Sequence, residues 1–228
     1  MMIKYFIIFI SLISLAFAEK EMAVAGRIDD FESERVARLL KEAGDEPVRV
    51  YIVSEGGYIK RGKEIYYALE ETKGAHTVLV SHAASIAAII FLATSDRAMG
   101  PEAELAFHEP YITIWMRENH GFEIKWSDVK GMHENGQLPP NSKLRSIFEL
   151  YPDMREAFNA EIADGRHYER LKADVEWMVD VLASKIAMSR NQIEAYFFQP
   201  TGKFRMVRQA EALRLNIATR IATTEELS

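Results

Sequence analysis

Three short stretches carry the residue types that acyl transfer requires. Ser54-Glu55-Gly56-Gly57 sets two adjacent glycines behind an apolar run, where bare backbone N–H groups can approach a developing negative charge. Ser85 lies in His82-Ala83-Ala84-Ser85-Ile86-Ala87-Ala88, behind a second apolar run and ahead of an Ala- and Ile-rich one. At a helix start its hydroxyl would project at a substrate. The N–H of Ile86 would point the same way, with the helix dipole behind it. His108, in Leu105-Ala106-Phe107-His108-Glu109-Pro110, closes a third apolar run and is able to take a proton from a serine. Each stretch has a plainer reading when taken alone: a tight turn, a helix cap or small packing residue, a hydrogen-bonded histidine at a strand end.

The elements that must position these residues alternate. Met22 to Ala25 reads as a short strand. Asp29 or Asp30 caps a helix whose apolar positions are Phe31, Val36, Leu39, Leu40 and Ala43, ending at Gly44. Val48 to Val53 is a β-branched strand, and Ser54 to Gly57 a turn toward a second helix with Ile65, Tyr66 and Leu69. Thr77 to Val80 is the next strand, and His82 to Ser85 opens a helix reaching about Thr94. Further strands fall at Ala98-Met99 and Glu104 to His108. Such βαβ units favour a parallel sheet with right-handed crossovers, and the short apolar strands fit a sheet covered on both faces.

After Pro110 the pattern changes. Ile112, Ile114 and Met116 alternate, as do Phe122, Ile124 and Trp126, with Asn119-His120-Gly121 between them, which predicts a β-hairpin. Pro139-Pro140-Asn141 marks a loop, and helical segments run from about Lys143 to Asp164. Beyond Gly165 a long handle helix carries Tyr168, Leu171, Val175, Met178, Val179, Leu182 and Ile186 on one stripe. Ser189 with Gln192 is a capping-box signature for the next helix, and Pro200 to Lys203 is a turn.

Order and spacing together resemble the ClpP family of serine peptidases within the Clp/crotonase superfamily. That family's S-P-G-G, A-A-S and H-Q-P stretches correspond to Ser54-Glu55-Gly56-Gly57 with Gly62, Ala83-Ala84-Ser85 and His108-Glu109-Pro110. Arg97 to Pro101 is also similar. The likeness covers about Met22 to Pro110 well, and returns more weakly from about Val181 to Thr219. The resemblance implies an α/β fold of ClpP/crotonase-like repeated βαβ units. It implies Ser85 as nucleophile, His108 as general base, and the N–H groups of Gly57 and Ile86 as an oxyanion hole. It also implies peptide or unfolded-protein substrates, a homo-oligomer and no cofactor. Three departures stand out. Tyr196 follows Ile193-Glu194-Ala195 where the family has its acid. Glu55 and Ser81-His82 replace a proline and a glycine-polar pair. Residues 111–164 are longer than the family's stretch and read as an insertion in a domain spanning 19–228.

Composition narrows the function further. The 228 residues carry a formal charge of −6 with no long basic stripe, which argues against a nucleic-acid partner. The absence of cysteine excludes thiolate nucleophiles, disulfides and cysteine-ligated zinc. His108, His120 and His133 lack metalloprotease spacing, so no metal is expected. Residues 1–18 read as a secretory leader: Lys4, then an apolar run to Leu15, then Ala16-Phe17-Ala18 before charged Glu19. An uncleaved anchor is the alternative. The expectation is an exported peptidase, periplasmic or secreted, with no ATPase partner. A catalytically silent protein used for binding or assembly is the runner-up, motivated by Tyr196. Acyl-CoA chemistry shares the fold but not the compartment.

Overall fold

The computed structural model describes residues 19–115, 121–163, 165–199 and 203–228. The leader, the centre of the expected hairpin and residues 200–202 lie outside the described residues. The chain divides into two compact units, residues 19–106 with 206–228, and residues 107–205.

The first unit is built on a sheet in the order β1 (Lys20–Ile28), β2 (Val48–Gly57), β3 (Ala75–Ala84), β4 (Asp96–Met99) and β9 (Arg220–Ile221), every neighbour parallel. Strand β5 (Glu104–Phe107) also runs parallel to β3, and β8 (Arg205–Arg208) pairs with β5. Strand β3 thus changes partners along one edge: residues 76–79 pair with β4 and residues 82–84 with β5. Helices α1 (Asp30–Ala43), α2 (Ile59–Glu71) and α3 (Ile86–Ile90, followed by a 3-10 turn to Ala93) alternate with the strands. Helix α9 (Gln209–Arg214) lies near the C-terminus. Asp29 caps α1, its carboxylate accepting from Glu32 N–H.

The core of this unit is the expected one, with one displacement. Val24, Ile28, Val36, Val50, Ile52, Val78 and Leu79 are sealed from water. Each such side chain contributes about 1.5–3 kcal/mol relative to exposure. Phe31, expected on the core stripe, is 74% exposed, because it sits in the first turn of α1, ahead of the buried face that begins at Glu32 and Ser33. Strand β2 is buried at alternate positions only, with Val53 exposed, so the sheet is not fully covered on both faces. On its second face Ala222 packs with Val78 and Ala98, beside Tyr51 and Val80. The buried guanidinium of Arg97 holds the returning C-terminal segment. It donates to the carbonyls of Ile217 (2.6 Å), Asn216 (2.8 Å), Thr94 (2.7 Å) and Ser95 (3.3 Å).

Two boundaries differ from the sequence reading. Ser54 to Gly57, read as a turn, is the last part of β2, because β1 continues beside it: Arg27 pairs with Gly56 and Ile28 with Gly57. His82 to Ala84, read as helix, belongs to β3, because β5 supplies a ladder partner for each of them. In both places a neighbouring parallel strand overrides the local Gly or Ala signal.

The second unit opens with an antiparallel hairpin, β6 (Tyr111–Trp115) and β7 (Gly121–Lys125), as the alternation implied. It continues with α4 (Trp126–Asn135), α5 (Leu144–Leu150), α6 (Pro152–Ala163), α7 (Arg166–Lys185) and α8 (Arg190–Phe197). Helix α4 was not anticipated. Helix α7 is the expected handle, and its stripe from Tyr168 to Leu182 is buried within the chain. The Tyr168 ring stacks on His133 (3.9 Å between centroids) and on Trp126 (5.5 Å). Ser189 and Gln192 form the expected capping box on α8.

Candidate active site

Ser85 stands at the junction of β3 and α3 with φ 58° and ψ −129°, a backbone region natural to glycine. The strand must stop there and the helix start within one residue. Two hydrogen bonds hold the turn: Ser85 N–H donates to Ala106 O at 2.7 Å, and Ala88 N–H to Ser85 O at 3.1 Å. A strand–turn–helix junction of this kind is the backbone setting of a nucleophile elbow.

The two glycines of the first stretch and Gly62 beyond it each sit where a β-carbon would collide with a neighbour. Gly56 has φ +93°, and a β-carbon on it would lie 2.7 Å from both Ala84 O and Ser85 Cβ, and 3.3 Å from Ile86 N. A β-carbon on Gly57 would lie 2.2 Å from Ile28 O, and one on Gly62 would lie 2.0 Å from Ile86 Cγ1. Gly56 is thus the floor beneath Ser85, Gly57 the close contact with β1, and Gly62 the seat of Ile86. Ser54 braces the strand end, its Oγ donating to Gly26 O (2.6 Å) and accepting from Gly56 N–H (3.0 Å).

Two amides border the turn. Tyr58 N–H donates to Ile28 O at 2.8 Å, toward β1. Ile86 N–H is the first amide of α3 and has no acceptor within the helix. Within the first unit Gly56 is thus brought against Ser85 and Ile86, and Gly57, next in the chain, against Ile28 of β1. Beside them, Glu55 and His82, both departures from the family pattern, form an exposed pair with 2.7 Å between His82 Nε2 and the carboxylate.

His108 belongs to the second unit, one residue beyond β5. Its ring is half-buried, stacked on Tyr111 at 5.7 Å and edge-on to Phe204 at 4.9 Å. Burial is the main influence on its pKa and moves it below the usual histidine value. The carbonyl of Glu109 and the charge of Glu123 oppose that shift, and Lys125 adds to it. Burial thus favours the neutral ring, the form a general base needs. Its Nδ1 lies 2.6 Å from Glu109 O. A carbonyl only accepts, so Nδ1 carries the hydrogen and Nε2 keeps its lone pair.

Tyr196 is engaged elsewhere in the second unit. Its hydroxyl accepts from the guanidinium of Arg205, which also lies over its ring at 4.4 Å. From sequence the partner of His108 Nδ1 stays open between an acid from another position, a water and a carbonyl, because a main-chain acceptor leaves no trace in residue type; the structure places the Glu109 carbonyl there. Among the described residues no cluster of His, Asp or Glu is arranged to hold a metal ion, and no helix is long and apolar enough to cross a membrane.

The family model described as Clp protease matches residues 8–136, more than half of the chain and a span that includes Gly57, Ser85, Ile86 and His108. Among solved structures, a ClpP1 point mutant from Listeria monocytogenes is similar with a TM-score of 0.58, covering 92% of this chain and 95% of that one. At 17% identity that likeness concerns the fold. Taken with the α/β architecture and the glycine-backed serine turn, the match over 8–136 is decisive: the chain belongs to the Clp protease family.

Proposed function

We propose that the protein is a serine peptidase in which Ser85 attacks the peptide carbonyl and His108 takes the hydroxyl proton and returns it to the leaving amine. Gly57 and Ile86 N–H groups would receive the oxyanion. The observation that carries this reading is the turn at Ser85. A non-glycine residue at φ 58°, with a glycine too crowded for a β-carbon beneath it, is costly local geometry of the kind that holds a nucleophile at a strand–helix turn. The contact of His108 Nδ1 with Glu109 O, and the burial that lowers the ring's pKa, support the base assignment. A carbonyl fixes the tautomer but gives the imidazolium less help than a carboxylate, so a modest rate is expected.

The substrates would be peptides or unfolded segments, and the working form a homo-oligomer, as family membership suggests. Export rests on the leader read at residues 1–18, with cleavage behind Ala18, and no ATPase partner is then needed. The engagement of Tyr196 by Arg205 favours the second reading, a catalytically silent member used for binding or assembly.

Hydrolysis of fluorogenic peptides separates the two. Activity abolished by Ser85→Ala supports the peptidase, whereas activity that survives Ser85→Ala refutes it. Tyr196→Asp should leave the rate unchanged, since the new carboxylate would pair with Arg205. A rise in rate would instead assign position 196 to the acid.

A further inference from the structure

Glu109 is the most unusual buried group near the base. It is 2% exposed in a stretch of apolar neighbours, and its Oε1 has no hydrogen-bond partner among the described residues. Leaving a buried polar oxygen unpaired is destabilising, and such rule-breaking residues concentrate where function requires them. Its other oxygen, Oε2, accepts from Ser127 N–H at 2.9 Å. Trp126 N–H donates to Pro110 O at 2.9 Å. The first two amides of α4 therefore grip residues 109 and 110, one through a side chain and one through the main chain. Asp128 closes the helix start by accepting from Lys125 N–H at 3.3 Å. The gripped segment begins with the Glu109 carbonyl that holds His108 Nδ1 at 2.6 Å.

We infer that Glu109 is a positioning residue for His108, its buried carboxyl anchoring on α4 the main-chain carbonyl that fixes the imidazole tautomer. The inference rests on the reading of His108 as the base. It gives the segment 111–164 a purpose: the helix that begins at Trp126 supplies the anchor. The side chain works by shape and hydrogen bonding and does not need its charge. Burial, the largest influence, pushes its carboxyl above the ordinary carboxylate range. The Ser127 hydrogen bonds and Lys125 oppose that shift, and Asp128 adds to it. A neutral glutamine amide keeps the acceptor for Ser127 N–H, whereas methionine of similar length does not.

The test is the protonation of the two His108 ring nitrogens in ¹⁵N-histidine-labelled protein near pH ~8, where imidazoles are neutral, assigned against a His108→Gln spectrum. The wild type should hold the hydrogen on Nδ1. Glu109→Gln should keep that ratio. Glu109→Met should move it toward the Nε2–H form by about threefold to tenfold, the worth of one net hydrogen bond. A wild-type ring protonated on Nε2 overturns the inference, even if Glu109→Met fails to fold. A folded Glu109→Met protein with the wild-type ratio overturns it equally. The measurement needs no turnover, so absence of peptidase activity would refute the functional reading while leaving the tautomer result intact.

Discussion

Ile86 Cγ1 occupies the space that a β-carbon on Gly62 would need, only 2.0 Å from its position. Ile86 is 1% exposed and is the first residue of the helix that follows Ser85, so its side chain has little free space to move into. Gly62→Ala should therefore lower stability by about 1–3 kcal/mol, the usual cost of overpacking a core. It should also displace the Ile86 amide. Denaturant melts check the first effect. Unchanged stability with an unmoved turn would show that the site relaxes more easily than the packing implies.

Ser85 lies in a backbone region where a β-carbon is costly. Both Ser85→Ala and Ser85→Gly remove the hydroxyl, but only glycine relieves the backbone. Ser85→Gly should be more stable than Ser85→Ala by about 1 kcal/mol, even against the greater freedom of glycine in the unfolded chain. Paired urea melts measure the difference. An alanine variant as stable as the glycine one would mean that the turn is not strained.

Glu226 binds the C-terminal segment to the sheet edge. Its carboxylate accepts from Arg220 Nη1 (2.8 Å), Arg220 Nη2 (2.7 Å) and Thr223 N–H (2.7 Å). The Arg220 guanidinium holds its pKa down, to about 2 from an ordinary 4.5, against the opposing effect of burial. A carboxyl whose folded pKa is depressed contributes stability that is complete above 4.5 and lost as pH falls through about 2. Glu226→Gln should cost about 1–3 kcal/mol at neutral pH, with the difference shrinking in acid. Urea melts of the two proteins across that range are the check. A difference independent of pH would mean that the charge of Glu226 plays no part.

Much of this molecule was legible in residue pattern because its strands are β-branched and its helices periodic. Val48 to Val53 and Thr77 to Val80 declared themselves strands, and the stripe from Tyr168 to Ile186 a helix. The errors lie where a distant partner decides. Gly56-Gly57 reads as a turn until β1 runs beside it, and His82 to Ala84 as helix until β5 does. Trp126 continued the alternation of Phe122 and Ile124, which hid the start of α4. Ser85 and His108 were singled out by the resemblance that their order and spacing carry. The carbonyl at His108 Nδ1 could not be, since every residue carries one.

The central claim is that Ser85 is a nucleophile activated by His108. Reaction with a fluorophosphonate, followed by peptide mass mapping, tests it most directly. The account predicts a single adduct on Ser85 in the wild type, none in Ser85→Ala, and labelling slowed at least ~100-fold in His108→Ala, the lower range for loss of a general base. A folded wild-type protein that stays unlabelled at Ser85, or one labelled equally fast without His108, would contradict it.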